Sequence, residues 1–298
     1  MSTLLSTLIT GLSLGAIYSL MAIALILVWR STRVVNFAQA GQAVFSTYIG
    51  LEIHRMTGSY WLAILLSIIV GGVLGGLIDL ALVRPLLRRA GAGPEAAVAP
   101  VIATLGLLAV LQGVSGMLWG GELINFPSAF SNAGLSIGGS KIPFSAFDLF
   151  TVGASLAVML AFSFIFQRTG LGLSMRAAAF SPEVAQLAGV RTGRVRTIGW
   201  SFAGAAGGLA GVLITPTTFL APNSLDLLLV FGFTAAVLGG LESMIGGALG
   251  GLALGFGLAL VLQYAGSSYT FMTAFVVLLA VLLLRPQGLI GKRGGRRV

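Results

Sequence analysis

Cysteine is absent from the chain, which excludes disulfides, thiolate metal sites and cysteine nucleophiles. Histidine occurs once, as His54 beside Arg55 at the end of an apolar run. One imidazole cannot assemble a metal centre, so His54 reads as an interfacial residue rather than a ligand or proton carrier. Charge of either sign is scarce: only 8% of the 298 residues are Asp, Glu, Lys or Arg, against about 25% in soluble domains. The eight acids, Glu52, Asp79, Glu95, Glu122, Asp148, Glu183, Asp226 and Glu242, are scattered and lie mostly near the ends of apolar runs. No HExxH motif occurs, and no Ser-His-Asp set can form without His54. A phosphate loop of the form GxxxxGK followed by Ser or Thr is missing too, since "GKRG" at 291–294 lacks both its leading glycine and its hydroxyl. The chain is therefore expected to be no enzyme, to hydrolyse no ATP by itself, and to hold neither metal nor cofactor.

What fills the chain instead is apolar: 57% of residues are hydrophobic. The runs are long enough for helices crossing about 30 Å of hydrocarbon and lack the alternation of an outer-membrane barrel. The fold class is an all-α polytopic membrane protein, read as one transmembrane domain over 1–298 with no soluble domain. The first run, Leu4 to Trp29, exceeds the length of a signal-peptide core and has no basic residue before it, so it is taken as a span. Spans are expected near 4–29, 36–53, 60–83, 97–118, 146–166, 197–216, 225–243, 244–264 and 269–284, which makes nine, with eight as the competing count.

Charge supports nine. With the N-terminus outside and the C-terminus inside, fifteen of the 17 basic residues fall on the cytoplasmic side, and only Arg55 and Lys141 do not. Dropping one late span would expel the basic tail while leaving the arginine-rich segment inside. The net charge of +9 thus reflects one-sided lysine and arginine, not a nucleic-acid surface. Only Asp79 lies well within a span. Arg84 follows five residues later, so Asp79 is expected to pair with it or to snorkel to the interface rather than relay protons.

The second span is the least apolar, because "VVNFAQAGQAVFSTYIG" carries Asn36, Gln39, Gln42 and Ser46. Such side chains need partners or water in hydrocarbon, so they are expected to face protein or a cavity, in a helix that is a candidate for a break. Cavity lining and interhelical hydrogen bonding remain the two readings of Asn36, Gln39 and Gln42. The segment Gly120 to Ser145 reads as an ordered outer loop. Glycines recur at helical spacing, in Gly71/Gly75, Gly72/Gly76, Gly204/Gly208, Gly207/Gly211, Gly247/Gly251 and Gly251/Gly255. These permit close helix packing, within the chain or at a dimer seam.

The longest polar interruption is "GLSMRAAAFSPEVAQLAGVRTGRVR", within a loop at 168–196 that carries five arginines. A helix containing Arg176 is expected to end after the alanines. Ser181 can then cap a second one, with Pro182 at its first position and Glu183 at its positive end. Gly189 suits the stop. A two-turn helix with Val184, Leu187 and Ala188 on one face either lies on the bilayer or docks in a groove of another protein, and the small face favours docking.

These residues resemble a known family. "LGLSMRAAAFSPEVAQLAGV" is similar to the cytoplasmic coupling loop of ABC importer permeases, specifically the branched-chain amino acid permease subunits. "LITGLSLGAIYSLMAIALILVW", "VVNFAQAGQ", "GAAGGLAGVL", "VFGFTAAVLGGLESMIGGALGGLALG" and "LLRPQGLIGKRG" look like that family's remaining regions in order. The resemblance implies a bacterial cytoplasmic-membrane importer subunit working with a second permease subunit, two ATP-binding subunits and an extracytoplasmic solute-binding protein. It makes Arg176, Ser181, Pro182, Glu183 and Leu187 the expected coupling residues, and Asn36, Gln39 and Gln42 the expected translocation path. The family pattern has His-Gly-Glu after "NFA", where this chain has Gln39, Ala40 and Gly41. Substrates of similar transporters include urea, short amides and aromatic acids besides leucine, isoleucine and valine. A stand-alone secondary carrier and a membrane scaffold are the alternatives from other classes.

Overall fold

A computed structural model describes residues 3–89, 95–137 and 140–289. Helices dominate: α1 (Thr3–Thr32), α2 (Gln39–Thr57), α3 (Tyr60–Ile78), α4 (Arg84–Arg89), α5 (Glu95–Trp119), α6 (Ala146–Arg168), α7 (Gly170–Phe180), α8 (Pro182–Leu187), α9 (Thr192–Ile214), α10 (Asp226–Gly239), α11 (Met244–Tyr264) and α12 (Ser268–Leu284). A π-helical stretch, Asp79–Val83, joins α3 to α4, so Tyr60–Arg89 is one continuous helix. The expected loop at 120–145 contains an antiparallel hairpin, β1 (Gly134–Ile137) and β2 (Ser140–Ser145), with Ser136 opposite Lys141.

Among the described residues, six helices are long and apolar enough to cross a membrane: Leu4–Thr32, Tyr60–Arg89, Val98–Trp119, Ala146–Arg168, Thr192–Thr217 and Met244–Tyr264. Each of the nine expected spans contains a helix, but three fall short of that standard. The 14 residues of α10 reach about 21 Å, and the helix stops where Gly240 adopts φ 101°. α12 has 17 residues. α2 is long enough at 19 residues but too polar. It is also unbroken, and Asn36 lies before it in the irregular segment after Arg33, a non-glycine residue at φ 57°.

The chain divides into two compact units. The first comprises Met1–Ile26, Asn132–Met159 and Val230–Val298. Its α1 segment lies against α11 through small residues: a methyl group at Gly255 would collide with the backbone of Gly15, and one at Gly251 with Ser19. Ser19 donates from its hydroxyl to the carbonyls of Gly15 (2.7 Å) and Ala248 (2.6 Å). Asp148 accepts from the Ser13 hydroxyl at 2.7 Å and from the Ser145 amide at 2.8 Å, which fixes the start of α6.

The second unit comprises Leu27–Ser131 and Leu160–Leu229. Its centre is the crossing of α3 and α9, where Gly71 and Gly75 meet Gly204, Gly208 and the Trp200 carbonyl so closely that no Cβ fits at any of the four glycines. In hydrocarbon no hydrophobic effect pushes helices together, so close backbone contact through small residues is what holds such a pair. These glycine pairs therefore serve packing within the chain. α2 lies against the same seam, and Ser67 donates to the Ser46 carbonyl at 3.0 Å.

Gly75→Val is expected to drive a side chain into the Trp200 carbonyl and to cost roughly 1–3 kcal/mol or prevent folding. Gly106→Ala, where nothing lies within 4 Å of an added Cβ, should be neutral. Thermal-scanning gel filtration in detergent checks both. Equal melting of the two variants would contradict the packing.

Candidate functional site

Three groups of polar residues sit on the second unit. The first is the arginine-rich segment. Thr169 caps α7 by accepting from the Gly172 amide at 3.3 Å, and Gly172 packs so tightly on the Ile165 and Phe166 carbonyls that only glycine fits. Arg176 donates to the Phe166 carbonyl at 2.9 Å. It therefore ties α7 to the last turn of α6, whose terminal carbonyls lack helical partners.

Ser181 caps α8, its hydroxyl accepting from the Val184 amide at 3.4 Å, with Pro182 in the first turn. The helix ends in a Schellman turn. The Val190 amide bonds the Ala185 carbonyl and the Gly189 amide the Gln186 carbonyl, both at 2.9 Å, with Gly189 at φ 82°. Gln186 donates to the Thr192 hydroxyl at 3.0 Å, linking α8 to the start of α9.

Ala185 alone of the α8 side chains is buried. Glu183 and Val184 are exposed, and Leu187 is 89% exposed. Phe180, which sequence reasoning did not single out, is equally exposed at 89%. Its position just before the cap is where a residue ordinarily packs back on the helix as a hydrophobic staple, and here it does not. The structure thus brings Ser181, Pro182, Glu183 and Leu187 together on one small helix with unpartnered apolar side chains, and sets Arg176 on the neighbouring one.

The second group is Asn36, Gln39 and Gln42, all fully buried. Asn36 donates from Nδ2 to Oε1 of Gln39 at 3.0 Å, and Gln39 donates from Nε2 to the Ala203 carbonyl at 2.8 Å. These two form a hydrogen-bonded tie from the start of α2 to α9. Gln42 differs: neither of its amide atoms has a partner. A buried, unpaired amide is costly unless water or a ligand meets it.

The third group extends the sequence reading: the expected Asp79–Arg84 pair is there, but a nearer partner joins it. Asp79 is fully buried, and its main partner is not Arg84. Arg196 Nε lies 2.7 Å from Oδ1 and the Thr197 hydroxyl donates to Oδ2 at 2.6 Å, whereas Arg84 stands 4.0 Å away. Arg84 instead donates to the Gly193 carbonyl at 2.9 Å and to Thr197 at 3.1 Å. The cluster clamps the far end of α3 to the first turns of α9, directly after α8. Sequence proximity pointed to Arg84, and only the glycine seam, which aligns the two helices, brings Arg196 to the carboxylate.

Two further carboxylates are engaged. Glu52 accepts from Arg55 at 2.8 Å and from the Trp119 indole at 3.0 Å, and Asp226 accepts from Gln112 at 2.8 Å. Among the described residues no group of three or more His, Asp or Glu could hold a metal ion.

Residues 7–284 match the family described as branched-chain amino acid transport system, permease component. Curated relatives include a probable branched-chain amino acid transport permease protein LivH of Methanocaldococcus jannaschii, 27% identical over 91% of this chain and 88% of its own. The high-affinity branched-chain amino acid permease proteins LivH of Salmonella typhimurium and BraD of Pseudomonas aeruginosa are each 28% identical over 97% of this chain and 96% of theirs. No solved structure gives a significant match. With the spanning helices, these likenesses make the chain a multi-pass membrane transport permease.

Gln39→Leu should break the Asn36–Gln39–Ala203 tie and lower stability by about 1 kcal/mol. Gln42→Leu removes an amide that bonds nothing in the protein, so melting should be unchanged or raised, while substrate uptake in reconstituted vesicles falls if the amide serves a passing solute. Unchanged uptake with Gln42→Leu would remove it from the path.

Proposed function

The chain belongs to the branched-chain amino acid transport system permease family, and from that premise we propose that it is the transmembrane subunit of an ABC importer for branched-chain or related amino acids. On this reading residues 1–298 work as one transmembrane permease domain of eight or nine spans in a bacterial cytoplasmic membrane. The chain pairs with a second permease subunit, a different chain. Two ATP-binding subunits supply the energy, and an extracytoplasmic solute-binding protein delivers the substrate. The N-terminus is outside, and the loop 168–196 and the C-terminus are inside.

The observation that carries the coupling role is α8. It is capped by Ser181 and Pro182 and closed by Gly189, yet it presents Glu183, Val184 and Leu187 to nothing. A short, stiff helix with exposed apolar side chains is the form that docks into a groove. Movement of α8 by a closing ATPase pair would reach α9 through Gln186–Thr192, and α3 through Arg196–Asp79. Arg176 holds α7 in place beneath it. Asn36 and Gln39 frame the start of α2; Gln42, with both amide atoms unpaired, and the Asn36 Oδ1 have hydrogen-bonding capacity to spare for a solute. Asp79, with both oxygens taken by Arg196 and Thr197, is unlike the ion-binding carboxylate that a stand-alone carrier would use.

Glu183→Lys with Leu187→Asp should leave insertion and folding intact, since both side chains are exposed. The double variant should lose co-purification of the ATP-binding subunits, or the stimulation of their ATP hydrolysis by loaded binding protein, because a charge buried without a partner costs several kcal/mol. Undiminished assembly and transport would refute the coupling role. Orientation is tested separately on the cysteine-free chain. Phe130→Cys should react with an impermeant thiol reagent in intact cells and Gln186→Cys only after lysis, and the opposite pattern would invert the topology.

A further inference from the structure

Beside α8 lies a concavity of about 600 Å³ whose lining includes five arginines, Arg84, Arg88, Arg191, Arg194 and Arg196, and no carboxylate. Two of the five are committed: Arg196 pairs with Asp79, and Arg84 bonds Gly193 and Thr197. The side chains of Arg88, Arg191 and Arg194 have no hydrogen-bond or ion-pair partner among the described residues. α9 begins in this bowl, its first turn uncapped by any side chain, so the positive end of that helix adds to the field. Arginines at the end of a span need no ligand by themselves. Here, however, two separate segments direct theirs into one concavity, where like charges repel unless an anion sits between them.

The helix that carries Arg84 and Arg88 has an exposed apolar stripe before them. Along the continuous helix Tyr60–Arg89, Leu65, Ile69, Val73, Leu77 and Leu80 are all exposed, spaced by four, four, four and three residues, and the same helix then carries Arg84 and Arg88. An exposed apolar stripe on a spanning helix that ends in two of the arginines is complementary to one kind of molecule, an acyl chain ending in an anionic headgroup. We infer that the bowl formed by Arg84, Arg88, Arg191 and Arg194 binds the headgroup of an anionic phospholipid whose acyl chain lies along the exposed stripe of α3. Basic concavities at the ends of spanning helices hold anionic headgroups by this combination of charge and apolar contact. The site requires only that Tyr60–Arg89 crosses the bilayer, so it stands or falls independently of the coupling role of α8.

The test is native mass spectrometry of the full chain purified in detergent, titrated with phosphatidylglycerol or with phosphatidylcholine of the same acyl chains. Phosphatidylglycerol should be retained at about tenfold lower concentration, and the preference should weaken as ionic strength rises. Replacing Arg88, Arg191 and Arg194 together by Gln should abolish the preference, while the same three positions as Lys should keep it. Arg285→Gln, outside the bowl, should change nothing. Equal binding of the two lipids by the native chain would overturn the proposal, as would an undiminished preference in the glutamine variant. Glycerol phosphate has the headgroup charge without the acyl chain. Its displacing the lipid as well as phosphatidylglycerol does would overturn the role of the stripe. A glutamine variant that keeps its lipid preference yet loses the ATP-binding subunits on purification would give the bowl to an acidic protein surface and end the lipid assignment.

Discussion

Glycine against glycine at the crossing of α3 and α9 is the contact from which the second unit is built. Gly71, Gly75, Gly204 and Gly208 leave no room for a methyl group, so the two backbones touch. Inside a bilayer the usual driving force for helix association is gone, because lipid tails are as apolar as leucine, and van der Waals contact between smooth helix faces takes its place. The first unit uses the same device at Gly15, Gly251 and Gly255. A chain with 43 glycines would be a poor helix former in water, where each costs up to about 1 kcal/mol. In hydrocarbon the helical hydrogen bonds are obligatory, so flexibility costs less and smoothness counts for more.

The polar contacts follow from that seam. Gln39 reaches the Ala203 carbonyl, Ser67 reaches Ser46, and Asp79 meets Arg196 and Thr197 because α2, α3 and α9 are already held within reach of one another. None of these bonds would repay the desolvation of its partners if the helices first had to be drawn together. The buried pair specifies where the two helices align more than how strongly they adhere, since ion pairs in low dielectric return little net stability. The glycines bring the helices together, and the charged pair fixes their register along the axis.

Much of this was legible in the sequence where the signal is local. Ser181, Pro182 and Gly189 announce the start and stop of α8 within nine residues, and glycine pairs four apart announce packing faces. The ordered motifs from the first helix to the tail identified the family. What depends on distant partners was not legible. Asp79 has an arginine five residues away in sequence, and the one it chooses is more than a hundred residues on. Asn36, Gln39 and Gln42 read alike in a row, yet two are joined in a tie to α9 and the third bonds nothing. Hydropathy set a helix in each expected span, six of them long and apolar enough to cross among the described residues, but it overestimated α10, because the stop at Gly239 and Gly240 lies within an apolar run that gives no warning of it. The exposure of Phe180 was hidden for the opposite reason: the staple it should form is a local pattern that the folded chain declines.

The five-residue π stretch at Asp79–Val83 sets an azimuth. A wider turn accommodates an extra residue relative to an α-helix, and each residue in a regular helix advances the side-chain direction by about 100°. Everything beyond Val83 is thereby rotated relative to the direction that Gly71 and Gly75 alone would dictate. Restoring a uniform α-helix by removing one residue there would keep the glycine seam intact and keep the helix in the membrane. It would also swing Arg84 about a quarter turn away from Gly193 and Thr197, and Arg88 with it. The phase of this one helix is therefore a heritable variable separate from its composition, and a single-codon deletion could re-aim its charged end while Gly71 and Gly75 keep their places in the seam.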